Sequence, residues 1–83
     1  MNKYLVTFVV PCIKMQFDAY IPINKKIGTL KKYVLSSLMQ LSNGAYRQTS
    51  SITFIDKETG IIFDNNILIK ESSIQNGTKI VII

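Results

Sequence analysis

The chain closes on Asn76-Gly77-Thr78-Lys79-Ile80-Val81-Ile82-Ile83, a polar turn that runs into four consecutive apolar residues. Successive side chains of an extended strand point to opposite faces, so Ile80 and Ile82 share one face while Val81 and Ile83 share the other. A strand apolar on both faces belongs inside a sheet, not at its edge. Earlier parts of the chain must therefore supply a neighbour on each side of it. Asn76-Gly77 provides the turn that leads in, with glycine free to take a positive φ. The upstream flank KESSIQ does not alternate, so this turn is isolated and not the tip of a hairpin.

Two strands are expected at the other end of the chain. Residues 4–10 are rich in β-branched and aromatic side chains, with Tyr4, Val6, Phe8 and Val10 on one face and Leu5, Thr7 and Val9 on the other. Pro11 lacks an amide hydrogen and ends this strand. After a turn over Cys12-Ile13-Lys14, Met15, Phe17, Ala19 and Ile21 alternate with Gln16 and Asp18, and the pair reads as a hairpin.

Beyond Pro22 the period changes. Ile27, Leu30, Val34, Leu38 and Leu41 recur at spacings of three and four, the stripe of an amphipathic helix over about residues 26–41. Lys31, Lys32, Ser36 and Ser37 are expected on the opposite face, and Asn43-Gly44 is a left-handed stop. Residues 42–51 read as a loop and 51–55 as a third strand. Asp56-Lys57-Glu58-Thr59-Gly60 turns the chain into a short fourth strand, Ile61-Ile62-Phe63, followed by a turn at Asp64-Asn65-Asn66. Leu68 and Ile74 are the expected anchors of a polar crossing segment. The order ββαββ, crossing, β places the last strand between the first and the third. The expected fold is α+β: one domain over residues 1–83, a mixed five-stranded sheet of order 2-1-5-3-4 packed on one helix, which is the β-grasp.

Composition narrows the chemistry. Histidine is absent, Cys12 is the single cysteine, and the five carboxylates Asp18, Asp56, Glu58, Asp64 and Glu71 stand apart along the chain. Cys12 has no histidine to activate it, so no catalytic residue, metal ligand or cofactor site is expected. The apolar run at residues 4–10 is shorter than the ~20 residues a bilayer requires, and no small-residue cleavage site follows it. The expectation is a cytoplasmic, non-membrane-spanning protein. Its net charge of +5 leans on Lys25, Lys26, Lys31 and Lys32, a basic face that would suit an acidic partner, a phospholipid surface or nucleic acid. Only one arginine, Arg47, is present, which disfavours nucleic acid.

The residues also carry a resemblance. LIKESSIQNGTKIVII is similar to the end of ubiquitin, and PINKKIGTLKKYVLSSL resembles the ubiquitin helix and its approach. Within that superfamily the chain most resembles the small YukD/EsaB proteins encoded with type VII (WXG100, or Ess) secretion systems of Gram-positive bacteria. The matching features are FDAYIP, IPINKKI, DKETG and the ending I-x-N-G-x-x-I-x-I. The resemblance implies a non-catalytic accessory or regulatory protein that binds cytoplasmic parts of the secretion machinery. A ubiquitin-like binding module of another pathway is the alternative. Ending at Ile82-Ile83, the sequence lacks the Gly-Gly tail that conjugation and sulfur transfer use, so neither chemistry is expected. By the same likeness, an outward sheet patch of Leu5, Val9, Thr53, Ile55, Val81 and Ile83 is the expected surface for a protein partner or for a homodimer.

Overall fold

A computed structural model of the protein describes residues 2–43 and 52–83. Residues 44–51 of the expected loop 42–51, with Gly44, Arg47 and the strand start at Ser51, lie outside the described residues. Strands β1 (Lys3–Val10) and β2 (Met15–Pro22) precede helix α1 (Ile27–Leu41), and β3 (Phe54–Asp56) and β4 (Lys79–Ile82) follow it. β1 and β2 form an antiparallel hairpin registered from Lys3 opposite Pro22 to Val10 opposite Met15. Pro11 ends β1 as expected, opening a 3₁₀ turn over Pro11–Ile13. Lys14 closes that turn at φ 51°, its amide donating to the Pro11 carbonyl at 3.0 Å.

The terminal strand takes the central place. β4 runs parallel to β1, with Phe8 opposite Ile80, and antiparallel to β3, with Ile55 opposite Val81. The sheet order is β2-β1-β4-β3. Ile80 and Ile82 are fully buried against a core that includes Val6, Phe8, Val10, Phe54 and the helix residues Ile27, Leu30, Val34 and Leu38. The rings of Phe17 and Phe54 stand 5.4 and 5.5 Å from that of Phe8. Aromatic pairs at this separation add roughly 0.5–1.5 kcal/mol beyond their buried area.

Three expectations are corrected. Among the described residues the sheet has four strands, not five, because Ile61-Ile62-Phe63 makes there only a single bridge, Ile55 to Ile62. The cause is the tight turn before it. The buried Asp56 carboxylate accepts the amides of Glu58 and Thr59 at 2.8 and 3.2 Å, and Gly60 sits at φ +76°. Phe63 then buries and Asp64 turns the chain away, its carboxylate accepting the Asn66 amide at 2.8 Å. Too few residues remain for a ladder. Second, the crossing segment is anchored by Ile69 and Ile74, not Leu68. A 3₁₀ turn starts at Ile69, whose amide donates to Lys25 while that of Lys70 donates to Ile23, and this rotates Ile69 inward. Third, Leu41 is half exposed, since the buried helix face stops at Leu38.

The helix start shows how that crossing segment holds the fold. Lys26 occupies the N-cap position and its side chain makes no capping bond. The first amides are satisfied instead by remote carbonyls: Ile27 donates to Ile67 and Gly28 to Asn65, both at 3.0 Å. A Cβ on Gly28 would meet the Asn65 carbonyl oxygen at 3.2 Å. Glycine therefore suits position 28, where any Cβ would press on the Asn65 backbone.

Two stability outcomes follow from these contacts. Gly28→Ala should forgo the ~1 kcal/mol that alanine normally gains over glycine in a helix. It should instead destabilise by about 1 kcal/mol, because Asn65 must retreat and lengthen its hydrogen bond. Asn76→Ala should cost about 1 kcal/mol, since the Asn76 carboxamide oxygen accepts the Leu5 amide at 2.8 Å. Urea unfolding of both variants checks these signs, and a stabilised Gly28→Ala would remove the close-approach argument.

Candidate protein-interaction face

Alternation along the strands leaves one sheet face against the helix and the other open. Register places Val9 beside Val81, Val81 beside Ile55, and Ile55 beside Ile62, so these four aliphatic residues form one row across the sheet. Val9, Val81 and Ile55 are half-buried by their neighbours, whereas Ile62 is 66% exposed. In the adjoining row Thr53 and Ile83 exchange both backbone hydrogen bonds, at 3.0 and 3.1 Å. Ile83 is 70% exposed and, with Pro11, Cys12 and Ile82, lines a shallow apolar hollow.

The structure thus brings together Val9, Thr53, Ile55, Val81 and Ile83, but not Leu5. Between Leu5 and Val9 lies Thr7, whose hydroxyl donates to Asp18 at 2.7 Å. Leu5 instead faces Tyr20 across β2, and its backbone meets the Asn76-Gly77 turn. Ile62 was missed by the sequence reading. The signal was present in the alternation of Ile61-Ile62-Phe63: once Phe63 turns inward, Ile62 must turn outward.

The four helix-associated lysines differ in their burial. Lys25 and Lys26 are exposed ahead of the first turn and Lys32 is exposed on the helix. Lys31 is half-buried, a correction to its expected place opposite the apolar stripe. It stands four residues after Ile27 and three before Val34, which puts it beside the buried stripe and about 100° from Lys32. Its Nζ lies 5.6 Å from the centroid of the Phe54 ring. The amides of Ile27 and Gly28 are already bonded to Ile67 and Asn65, so the helix start offers an anion little beyond the lysines themselves. Among the described residues no three His, Cys, Asp or Glu side chains are grouped to hold a metal ion, and Cys12 is exposed. No helix among them is long and apolar enough to cross a membrane.

Burial lowers the Lys31 pKa from its ordinary value, and the Asp64 carboxylate opposes this only in part. The folded protein holds this proton less tightly than the unfolded chain. The site's contribution to stability therefore rises as pH climbs through the lysine range, and its cost is fully present below the folded pKa. Lys31→Met should remove that rise. It should not destabilise the protein at neutral pH, although it gives up a cation–π contact of about 0.5–1 kcal/mol. Urea unfolding of both proteins between about pH 7 and about pH 11 reads the difference, and parallel stability profiles would refute it.

No protein-family model matches the chain, and no curated protein does. Solved structures do. The EccD5 ubiquitin-like domain from Mycobacterium xenopi superposes with a TM-score of 0.80 at 10% identity, covering 99% of this chain and 93% of that one. The ubiquitin-like domain of the Mycobacterium tuberculosis type VII secretion protein EccD1 gives a TM-score of 0.76 at 11% identity, covering 100% and 99%. The ubiquitin-like domain of the Arabidopsis thaliana protein At2g32350 gives 0.71 at 19% identity, covering 100% and 78%. Identities this low speak to fold alone. The chain has the ubiquitin-like β-grasp fold, one helix packed on a mixed sheet.

Proposed function

We propose that this protein is a YukD/EsaB-like accessory or regulatory component of a bacterial type VII secretion system, acting in the cytoplasm through protein–protein contacts and not through catalysis. The observation that carries the binding role is the open aliphatic row of Val9, Val81, Ile55 and Ile62, continued by Ile83. Exposed apolar surface organised in this way marks interfaces on small soluble domains. The secretion setting is supported by the sequence likeness of FDAYIP, IPINKKI and DKETG, and by superposition along nearly the whole chain on two EccD domains. Fold alone does not assign function, since one fold carries many. The setting therefore rests on both supports together. A second copy of the chain is an alternative occupant of the same face.

Removing the protein from its host should change export of the WXG100 substrates, and the wild-type chain should restore it. Ile62→Asp, at an exposed position, and Val81→Asp, in the centre of the row, should fail to restore export while keeping the wild-type circular dichroism spectrum. Ile55→Asp should behave as Val81→Asp does. Sedimentation of the wild type at rising concentration reports whether self-association uses this face. Unchanged export after deletion would sink the secretion reading, and full restoration by all three variants would sink the role of the row.

A further inference from the structure

The row next to the aliphatic one carries a charge arrangement that folding alone does not favour. Thr7 stands opposite Asp18 on one side and opposite Lys79 on the other. Across β4, the Lys57 amide donates to the Lys79 carbonyl at 3.0 Å, which continues the β3–β4 register by one pair and sets the two lysines directly opposite each other. Lys79 shares the outward alternation of Val81 and Ile83, and both lysines are exposed. Like charges facing across a strand pair are destabilising. Neither lysine has an ion-pair partner among the described residues.

The carboxylates that could relieve this pair are engaged elsewhere or are not bonded to it. Asp18 accepts the Thr7 hydroxyl, Asp56 the amides of Glu58 and Thr59, and Asp64 the amide of Asn66. Glu58, in the turn, lines the same polar hollow as Lys79 without pairing to it. The outcome is an aliphatic row bordered by two unneutralised ammonium groups.

This inference rests on the sheet-face reading above and names its partner by chemistry. We infer that the face receives a protein segment that lays aliphatic side chains along Val9, Val81, Ile55 and Ile62 and sets carboxylates beside Lys57 and Lys79. Binding such a segment would neutralise the opposed lysines while covering the row. Nucleic acid fits less well: phosphates would answer the lysines, but the row offers no ring on which a base could stack. A second copy fits less well too. It would bring the same two lysines to the contact, and its Asp18 is already held by Thr7.

Two synthetic peptides of equal length test this, sharing one alternating Val/Ile pattern and differing only in flanking Glu or flanking Gln. Amide chemical shifts of the isotope-labelled protein are followed during titration. The Glu peptide should move the signals of Val9, Ile55, Lys57, Lys79 and Val81, and bind about five- to tenfold more tightly than the Gln peptide at low salt. That advantage should shrink in ~1 M salt, where the screening length is about 3 Å. The double variant Lys57→Glu/Lys79→Glu should lose it while keeping affinity for the Gln peptide. Lys57→Glu alone should raise the urea midpoint, because it turns a like-charge pair into an attractive one. Equal affinity of both peptides for the row overturns the acidic-partner inference and leaves the sheet-face reading standing. Failure of both peptides to move the row's signals overturns both. A single-stranded oligonucleotide that displaces the Glu peptide from the row would also overturn the inference, in favour of phosphate recognition.

Discussion

The parallel seam between β1 and β4 is the constraint on which the rest of the structure depends. It joins the two ends of the chain, and a parallel pair cannot be made by a tight hairpin. The seam begins at Leu5. The Leu5 amide donates to the Asn76 side chain at 2.8 Å, and the Leu5 carbonyl accepts the Gly77 amide at 2.8 Å. The asparagine side chain thus stands in for one more residue of strand, and Gly77, at φ +88°, turns the backbone into line. Thr7 then donates to Thr78, and β4 is aimed between β1 and β3. Ile80 and Ile82 enter the core because this clamp sets their register, and Val81 is held in the outward row by the same register.

A second tie keeps the helix over the sheet. The segment around residues 65–70 lies alongside residues 23–28, bonded through Ile23, Lys25, Ile27 and Gly28, with a bridge between Lys26 and Leu68. A helix that starts at lysine, with no side-chain cap, would fray by itself. Here the orphan amides find carbonyls roughly forty residues away in sequence. The polar crossing segment is therefore structural: its backbone caps α1, and Ile69 and Ile74 pin it to the core. The lysines ahead of the helix, part of the basic face expected from the sequence, stand beside donors that are already in use.

The division of the sheet into a buried and an open face was legible from alternation alone. Val6, Phe8 and Val10 point inward and Leu5, Thr7 and Val9 outward, as the period of two requires. The helix bounds and the positive φ at Asn43 and Gly77 were also legible, because they depend on local backbone preference. The readings that changed each involved a competing partner from elsewhere in the chain. Ile61-Ile62-Phe63 has the composition of a strand but is cut short by the turn that Asp56 caps. Lys31 has the chemistry of a solvated residue, yet the sheet brings the Phe54 ring beneath it.

By itself, the sequence determined which side chains of β1, β4 and the helix as far as Leu38 face the core, where the helix lies, and that the terminal run must be a central strand. Those properties follow from periods of two and about 3.6 residues and from the steric freedom of glycine, all local to a few residues. Only the tertiary structure decided that Ile62 joins the expected outward patch and that Leu5 stands apart from it. Val9, Val81, Ile55 and Ile62 come from both ends of the chain and from the hairpin between, and Lys57 faces Lys79 across a register that no local pattern encodes. The physical reason is that register is set by the packing of buried faces and by remote backbone bonds such as that of Leu5 to Asn76, 71 residues apart.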